Sequence, residues 1–402
     1  MKVIEGGICA PKGFVAGAIH SGIRKAKTKE DLALIVSSTP CQCAAVYTRN
    51  KVKADPLLVT KEHLKDHCAS AIIVNSGNAN ACAVNGYTNA LRQAKAAADY
   101  IGIDQTQVLV ASTGVIGQEL PIDCIEQSVG NIVLSKENND VCARAILTTD
   151  TKEKIVTVSF AIDGVECSIG GIAKGSGMIH PNMGTMLAFI TTDCAVSGEL
   201  LQTLLYRNTQ ITFNRVSVDG DTSTNDMCIV MANGQAGNVY LEQEDEKSAI
   251  LEEALHYVMQ ELAKKIAADG EGATRLMTCR MVHAADEKTA ETLAMSVCSS
   301  SLVKAAMFGA DANWGRVLCA MGYADASFDP SAVSVSFASS VGEIKVCEEG
   351  KGLLFDEAIA KQILLEPDVT IIADLHQGDA EATCWGCDLT YDYVKINGDY
   401  RT

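Results

Sequence analysis

Aromatic residues are scarce in this 402-residue chain, because Phe, Trp and Tyr together make up only 5% of it. Hydrophobic residues as a whole still reach 48%, so the core must be built from Ala, Val, Ile and Leu. This composition is typical of a globular protein rather than a disordered one. The chain is longer than one hydrophobic core usually requires, so we expect two packed units, at residues 1–240 and 241–402.

Positive charge is also in short supply. The chain has 33 Lys and Arg against 50 Asp and Glu, which gives a formal net charge of −17. An acidic surface repels phosphate backbones and anionic lipids, so nucleic acid and membrane are predicted not to be partners. No apolar run approaches the roughly 20 residues that span a bilayer. The first residues lack a basic segment followed by a long apolar core, so we expect no signal peptide and a cytoplasmic location.

The 16 cysteines lack the regular spacing of a disulfide framework. Two close pairs, Cys41/Cys43 and Cys384/Cys387, would supply four zinc thiolates if the fold brought them together, but neither has a second ligand pair near it in sequence. The segment after the second pair, "DLTYDYVKI", alternates like a strand, which argues against a redox pair at a helix. We therefore predict cysteines in the core and no metal.

Common catalytic motifs are missing as well. The chain contains no GxxxxGK[ST] phosphate loop, no GxGxxG after a strand, no GxSxG and no HExxH. His63 and His67 have helical spacing, but the charged residues around them predict a solvated helix face. The sequence therefore lacks the common signatures of P-loop and dinucleotide-binding proteins, of α/β-hydrolases and of zinc metalloproteases.

The pattern along the chain predicts a mixed α/β protein. Helices are expected from a cap at Thr88 to Gly102, from residue 248 to a cap at Gly270, and over residues 287–297. Most of the remaining apolar segments are predicted to be strands. They include "LALIVSS", "CAAVYTRN" and nearly everything after residue 332. Because strands and helices do not alternate strictly, we expect mixed or antiparallel sheets.

One segment, "KGSGMIHPNMGTMLAFITTD", places Thr185 directly after Gly184 at the start of an apolar strand. A threonine hydroxyl is a weak nucleophile that needs a base, and cleavage before Thr185 would supply one in its own α-amine, with a reference pKa near ~8. Gly184 would let the hydroxyl approach the carbonyl carbon, since it has no Cβ. Taken alone, however, these residues favour an ordinary turn into a strand.

That segment and seven others resemble, in the same order, the ornithine acetyltransferase (glutamate N-acetyltransferase) family of arginine biosynthesis. The seven are "NSGNANAC", "ASTGVIGQELP", "TTDT", "FNRVSVDGDTSTND", "GEGATRL", "FGADANWGRV" and "WGCDLTYDYVKINGDYRT". The resemblance implies a layered α-β-β-α body of the kind seen in self-processing N-terminal-nucleophile-like (DmpA-like) enzymes, with a smaller C-terminal α/β unit. It also implies self-cleavage between Gly184 and Thr185, into chains 1–184 and 185–402. The family usually has Ala where this chain has Gly184.

The resemblance assigns site roles by position. Thr185 would be the nucleophile, its α-amine the base, and Thr113 and Gly114 the oxyanion hole. Substrate contacts would come, besides Thr185, from Thr148, Lys174, Glu271, Asn397 and Thr402. The acids of "DGDTSTND" are interpreted as structural turn residues.

The implied reaction moves acetyl from N2-acetylornithine to Thr185 and then to glutamate, without a cofactor, and some members also accept acetyl-CoA. A dimer of the two-chain unit is expected. Three alternatives stay open: an amidase or aminopeptidase that uses water as acceptor, an acetyltransferase with another acceptor, and a protein without catalysis in which Thr185 only begins a strand.

Overall fold

The computed structural model describes residues 1–25, 29–180 and 186–399, and these form two β-sheets with helices around them. The strands are β1 (Lys2–Val3), β2 (Phe14–Ile19), β3 (Leu32–Tyr47), β4 (Cys68–Asn78), β5 (Val108–Val115), β6 (Lys154–Ile162), β7 (Val165–Lys174), β8 (Leu187–Thr192), β9 (Val216–Ser217), β10 (Met227–Ala232), β11 (Leu276–Ala284), β12 (Ser334–Ser339), β13 (Gly342–Glu348), β14 (Lys351–Gly352), β15 (Asp368–Asp374) and β16 (Ala380–Cys387). The helices are α1 (Asp55–His63), α2 (Gly86–Ile101), α3 (Ile122–Ser128), α4 (Asn139–Ala145), α5 (Gly198–Ile211), α6 (Glu246–Ala268), α7 (Glu287–Ser299), α8 (Ser301–Phe308), α9 (Trp314–Gly322), α10 (Glu357–Leu364) and α11 (Tyr391–Asp399).

The first sheet runs in the order β1-β6-β7-β8-β10-β3-β4-β5, with β2 paired to β3. At its centre β8 and β10 are parallel, and each has an antiparallel neighbour on its other side, β7 and β3 respectively. Along β8 the side chains alternate between two cores: Leu187 and Phe189 lie in one cluster, and Ala188 and Ile190 in the other. The sheet is therefore buried on both faces where β8 passes through it.

The second sheet runs in the order β14-β13-β12-β15-β11-β16-β9. Side chains of α7, α8, α9 and α10 share one buried cluster with its strands. The long helix α6 lies between the two sheets: Leu255, Val258 and Leu262 share a cluster with Ile190 of the first sheet and Trp385 of the second. The mixed α/β architecture predicted from the sequence is confirmed, while the boundary near residue 240 stays a prediction.

Several element predictions need correction. The runs "LALIVSS" and "CAAVYTRN" belong to one strand, β3, whose pairing with β4 shifts register between Val36 and Cys41 instead of breaking. Thr88 lies inside α2 rather than at its cap, because the helix begins at Gly86 after Asn85. Gly102 does end α2, with a left-handed φ of 74°. In α6 the cap position is taken by Asp269, one residue before the predicted Gly270.

The C-terminal strand prediction is wrong after Cys387. The last paired residues of β11 and β16 are Leu276 and Cys387, and the carboxylate of Asp388 then accepts the backbone N–H groups of Thr274 and Arg275. These bonds turn the chain away from the sheet, and "YDYVKINGD" forms helix α11. A strand also needs a neighbouring strand to pair with, and an alternating pattern of apolar and polar residues does not show that one is present.

The structure also tests the predictions made for His63 and for the two cysteine pairs. His63 is buried rather than solvated, and its Nδ1 lies 2.8 Å from the carbonyl oxygen of Val108. Cys41, Cys43, Cys384 and Cys387 are all buried in the hydrophobic clusters, as their interpretation as core residues requires. Among the described residues no helix combines the length and apolar character needed to cross a membrane.

Candidate active site

Six of the residues predicted for the site line one cavity: Thr113, Gly114, Thr148, Lys174, Glu271 and Asn397. They come from distant parts of the chain, since β5, β7, α11 and the loops before β6 and after α6 all reach this place. Gly184, Thr185 and Thr402 lie outside the described residues. Met186, which follows Thr185 directly, lines an inner recess together with Thr113 and Lys174.

Gly114 is held against the neighbouring strand in a way that only glycine permits. It lies opposite Gly77 in the parallel pairing of β4 with β5, with a φ of 133°. A Cβ atom at this position would lie 2.4 Å from the carbonyl carbon of Gly77 and 2.5 Å from the nitrogen of Asn78. The "NSGN" and "STG" motifs therefore interlock, and the end of β5 has little room to move.

Two buried asparagines fix the same end of β5. Asn225 donates from Nδ2 to the carbonyl oxygens of Ala79 (2.6 Å) and Ser112 (2.8 Å). Asn75 accepts a hydrogen bond of 2.6 Å from the Ser112 hydroxyl. Ser112, the residue before Thr113, is thus held by both its backbone and its side chain. These bonds position Thr113 and Gly114, the two predicted oxyanion donors, and do not involve the donor groups themselves.

Lys174 ends β7 and brings a buried positive charge to the cavity, with only 8% of the residue exposed. Burial lowers the pKa of its ammonium group, and the Asp150 carboxylate opposes that shift. Asp150 is already engaged: it accepts from Lys154 Nζ at 2.7 Å and from the Gly175 N–H at 2.6 Å. Burial would raise the pKa of Asp150, but Lys174 and Lys154 together hold it below its usual range.

Lys154 forms ion pairs with two buried carboxylates, those of Asp150 and Asp269. Its ammonium group contacts Asp150 at 2.7 Å and Asp269 at 2.6 Å, and all three side chains are at least nine-tenths buried. Asp269 also accepts the Thr151 N–H at 3.0 Å, so the C-terminal end of α6 is tied to the loop before β6. Lys154 and Lys174 together offset the two carboxylates, but the direct ion pairs of Asp150 and Asp269 are both with Lys154. Lys174 has no ion pair of its own among the described residues, so its ammonium group can contact a ligand.

Glu271 adds a buried carboxylate to the lining of the same cavity. Its Oε2 accepts a hydrogen bond of 2.6 Å from Asn397 Nδ2, and its backbone N–H donates to Ser176 at 2.9 Å. Helix α11 reaches this position because Gly272, with a φ of 70°, lets the backbone of Tyr393 approach closely. The Thr390 hydroxyl adds a bond of 2.7 Å to the Gly272 carbonyl. The C-terminal helix is therefore part of the site.

Asp219 acts as the structural turn residue that the sequence predicted. Its carboxylate accepts the N–H groups of Met178 (2.6 Å) and Ile179 (2.8 Å), and the Tyr393 hydroxyl at 3.3 Å. It thereby joins the "KGSGMI" segment to α11. Negative charge on Asp219 adds to burial in raising the pKa of Tyr393.

Sequence reasoning missed several residues of the cavity. Thr149, Ser223, Thr224 and Asn225 also line it, and Asp226 lines the inner recess. All but Thr149 belong to "FNRVSVDGDTSTND", a motif that the sequence singled out but in which no side chain received a site role. A run of polar residues directly before an apolar strand was the available signal.

The arrangement suits a ligand with charge of both signs. A carboxylate beside Lys174 and an ammonium group beside Glu271 would each meet an opposite charge in a largely desolvated place. Thr113 and Gly114 line the same cavity, and a threonine hydroxyl and a backbone N–H are groups that can donate to an oxyanion. A free amino acid with a cationic side chain has this charge pattern.

Comparison with known proteins agrees with the motifs. The model of the ArgJ family matches residues 15–402. The chain belongs to the ArgJ family. It is 47% identical to the arginine biosynthesis bifunctional protein ArgJ of Caldanaerobacter subterraneus, with 100% of both chains covered. It is 48% identical to the protein of that name from Thermotoga neapolitana, covering 98% of this chain and 99% of the other.

A solved ArgJ structure shares part of the fold. The crystal structure of the arginine biosynthesis bifunctional protein from Bacillus halodurans superposes with a TM-score of 0.51 at 43% sequence identity. The match covers 54% of this chain and 100% of that one. This member of the ArgJ family therefore shares its fold with a solved relative over about half of the chain.

Proposed function

We propose that the protein transfers the acetyl group of N2-acetyl-L-ornithine to L-glutamate, giving L-ornithine and N-acetyl-L-glutamate in arginine biosynthesis. The observation that carries this proposal is the cavity that Lys174 and Glu271, of opposite charge, line together with Thr113 and Gly114. Lys174 would hold the α-carboxylate that both substrates possess, and Glu271 the side-chain ammonium of ornithine. Thr148, Asn397 and Thr402 would complete the contacts. Membership of the ArgJ family supports this assignment.

The chemistry is proposed to run through Thr185. Its Oγ attacks the acetyl carbonyl while its α-amine takes the hydroxyl proton, and Thr113 and Gly114 stabilise the oxyanion. The C–N bond then breaks, the proton passes to the departing α-amine of ornithine, and acetyl-Thr185 remains. The amine of glutamate attacks this ester in the second half, and Thr185 regains its proton. No cofactor is proposed, since Thr185 itself carries the acetyl group.

The α-amine of Thr185 exists only after cleavage, so the proposal includes self-cleavage between Gly184 and Thr185. Support comes from the Bacillus halodurans chain, all of which is matched by 54% of this one. The proposed second fragment, residues 185–402, makes up the same share of the sequence. We also propose that two such two-chain units form a dimer in the cytoplasm.

Replacing Thr185 with Ala tests both parts together. We expect an uncut chain without acetyl transfer, because neither nucleophile nor base is formed, whereas Thr185→Ser should keep both at a reduced rate. Intact mass under denaturing conditions and N-terminal sequencing report cleavage; in the unaltered protein the second fragment should begin Thr-Met-Leu-Ala. Full transfer by Thr185→Ala would refute the proposal.

Acceptor dependence separates transfer from hydrolysis. Ornithine release should rise with glutamate concentration and yield one N-acetylglutamate per ornithine. Release that ignores glutamate would instead assign an amidase, and transfer to another amino acid in a panel would assign a different acceptor. The same assay with acetyl-CoA as donor tests the second activity implied by the relatives' name, bifunctional protein.

A further inference from the structure

Asp226, interpreted from the sequence as a turn residue, is a buried acid in the structure. It lies directly before β10, whose first residue, Met227, is paired with Leu187 at the start of β8. Only 2% of Asp226 is exposed, and its Oδ2 atom has no hydrogen-bond partner among the residues that the structure describes. An unpartnered carboxyl oxygen at this depth is unfavourable, so its retention calls for an explanation.

The side chain borders the substrate cavity. Asp226 lines the inner recess with Thr113, Lys174 and Met186. This recess and the main cavity share several lining residues, among them Thr113, Lys174 and Asn225, so the two spaces adjoin. A ligand group at Lys174 therefore lies at the junction with the recess that Asp226 borders.

Burial raises the pKa of Asp226 well above its usual range. Hydrogen bonds involving Ser223 and Thr48, the charge of Lys174, and the Met186 N–H all act in the opposite direction without overcoming it. Burial therefore stabilises the neutral form of Asp226 relative to the ionised form, and a neutral carboxyl group has an O–H donor that a carboxylate lacks.

We propose that Asp226 acts with Lys174 to bind the substrate's carboxylate, and that a protein molecule in which Asp226 is ionised takes up a proton on binding. Lys174 supplies the charge and Asp226 a hydrogen-bond donor that adds no repulsion. The inference rests on the proposed function for the identity of the ligand, but not on catalysis itself.

The direction of the linkage follows from the charges. A ligand carboxylate beside Lys174 offsets the positive charge that favours ionised Asp226, so the pKa of Asp226 rises further on binding. Binding then takes up a proton, and affinity falls as pH rises through the pKa of the free protein. Thr48 and Ser223 contribute no titrating groups beside it, while Glu271 and Asp150 act on Lys174. His180, whose pKa is lowered by burial, and any amine freed at Thr185 are further groups whose titration must be counted.

Calorimetry with L-ornithine tests this without turnover. Titrations of the unaltered protein across about pH 5 to 9, in buffers of different ionisation enthalpy, count the protons taken up. At pH values where Asp226 is ionised in the free protein we expect uptake of up to about one proton, and at the steepest a tenfold loss of affinity per pH unit. Ornithinamide, which lacks the carboxylate, should show neither effect. These titrations need no variant, so they do not depend on a substituted protein folding.

Asp226→Asn is the matched variant, because an amide resembles the neutral acid in shape and donates a hydrogen bond. It should bind ornithine within about threefold of the unaltered protein at pH 6, a difference below 1 kcal/mol, and it should lose the proton uptake. His180 and the Thr185 amine remain in this variant, so any residual uptake belongs to them. Equal uptake in both proteins, or none in the unaltered one, would overturn the inference. If ornithine binds with Asp226-dependent uptake but glutamate accepts no acetyl group, the proposed function fails and this inference stands.

Discussion

At the scale of single residues, the end of β5 is the most sterically constrained part of the site. Replacing Gly114 with Ala places a Cβ 2.4 Å from the backbone of Gly77, at a φ of 133° that L residues rarely adopt. The strand end must shift, and with it one proposed oxyanion donor. We expect kcat/KM for acetyl transfer to fall by about 10²–10³, the usual effect of losing one such donor.

Gly117→Ala is the control for Gly114→Ala. Gly117 lies three residues on and also has a positive φ, 78°, but a Cβ there would meet nothing within 4 Å. Both variants put an L residue at a positive φ, at a cost of about 1–2 kcal/mol for the left-handed conformation of Gly117, whereas only Gly114→Ala adds the collision. Comparable losses of activity in both variants would show that strain, rather than displacement of the donor, is responsible.

The sequence predicted the members of the site better than it predicted their surroundings. Thr113, Lys174 and Glu271 were identified through the motifs around them, and the structure places them at one cavity. Asp226 was interpreted as a turn residue because nothing in "STND" shows that its carboxyl will be buried. That burial depends on β8 lying beside β10, a pairing between strands some 40 residues apart, and local patterns do not contain it.

At the scale of elements, helix α11 is held to the site by few contacts. None of its residues is buried, so its position depends on hydrogen bonds and on the close approach at Gly272. Gly272→Ala would place a Cβ 2.7 Å from the Tyr393 nitrogen and displace the helix that carries Asn397. We expect KM for acetylornithine to rise by about tenfold, as for one lost charge-assisted hydrogen bond, with a smaller change in kcat.

Two control variants separate the causes in this experiment. Gly102→Ala has a similar φ, 74°, at the end of α2, with nothing within 4 Å of the added Cβ, so it carries the strain without the displacement. Gly398→Ala adds a Cβ within α11 itself, again into open space. Steady-state kinetics of the three variants should single out Gly272→Ala; an unchanged KM there would show that α11 does not position Asn397.

Helices and strands were predicted correctly where the spacing of apolar residues keeps one period over many residues. The predictions failed where the conformation depends on hydrogen-bond partners that are distant in sequence. Helix α6 was predicted from the spacing of Leu251, Leu255, Val258 and Leu262, which lie on one face. An apolar stripe of that length with this period is typical of an amphipathic helix. The segment 391–399 alternates like a strand but has no neighbouring strand to pair with once Asp388 turns the chain. Hydrogen-bond partners far away in sequence therefore decided its conformation.

At the scale of the whole molecule, the proposed cut falls between strands that stay interleaved. The first sheet runs β7-β8-β10-β3, so two strands of the proposed fragment 185–402 lie between two strands of fragment 1–184. The pairs β7–β8 and β10–β3 each extend over six residues. Separating the fragments would break both ladders and expose Phe189, Ile190 and Ile229, which are fully buried.

We therefore expect the two fragments to remain one particle after cleavage. In native buffer they should co-elute in size-exclusion chromatography at unchanged stoichiometry, and they should separate only in denaturant, where both ladders are lost. Removing the denaturant from the mixed fragments tests whether the interleaved sheet can form again from two chains. Elution of the fragments as separate species in native buffer would contradict the strand order, because no arrangement with β8 and β10 between β7 and β3 releases one fragment and leaves the other folded.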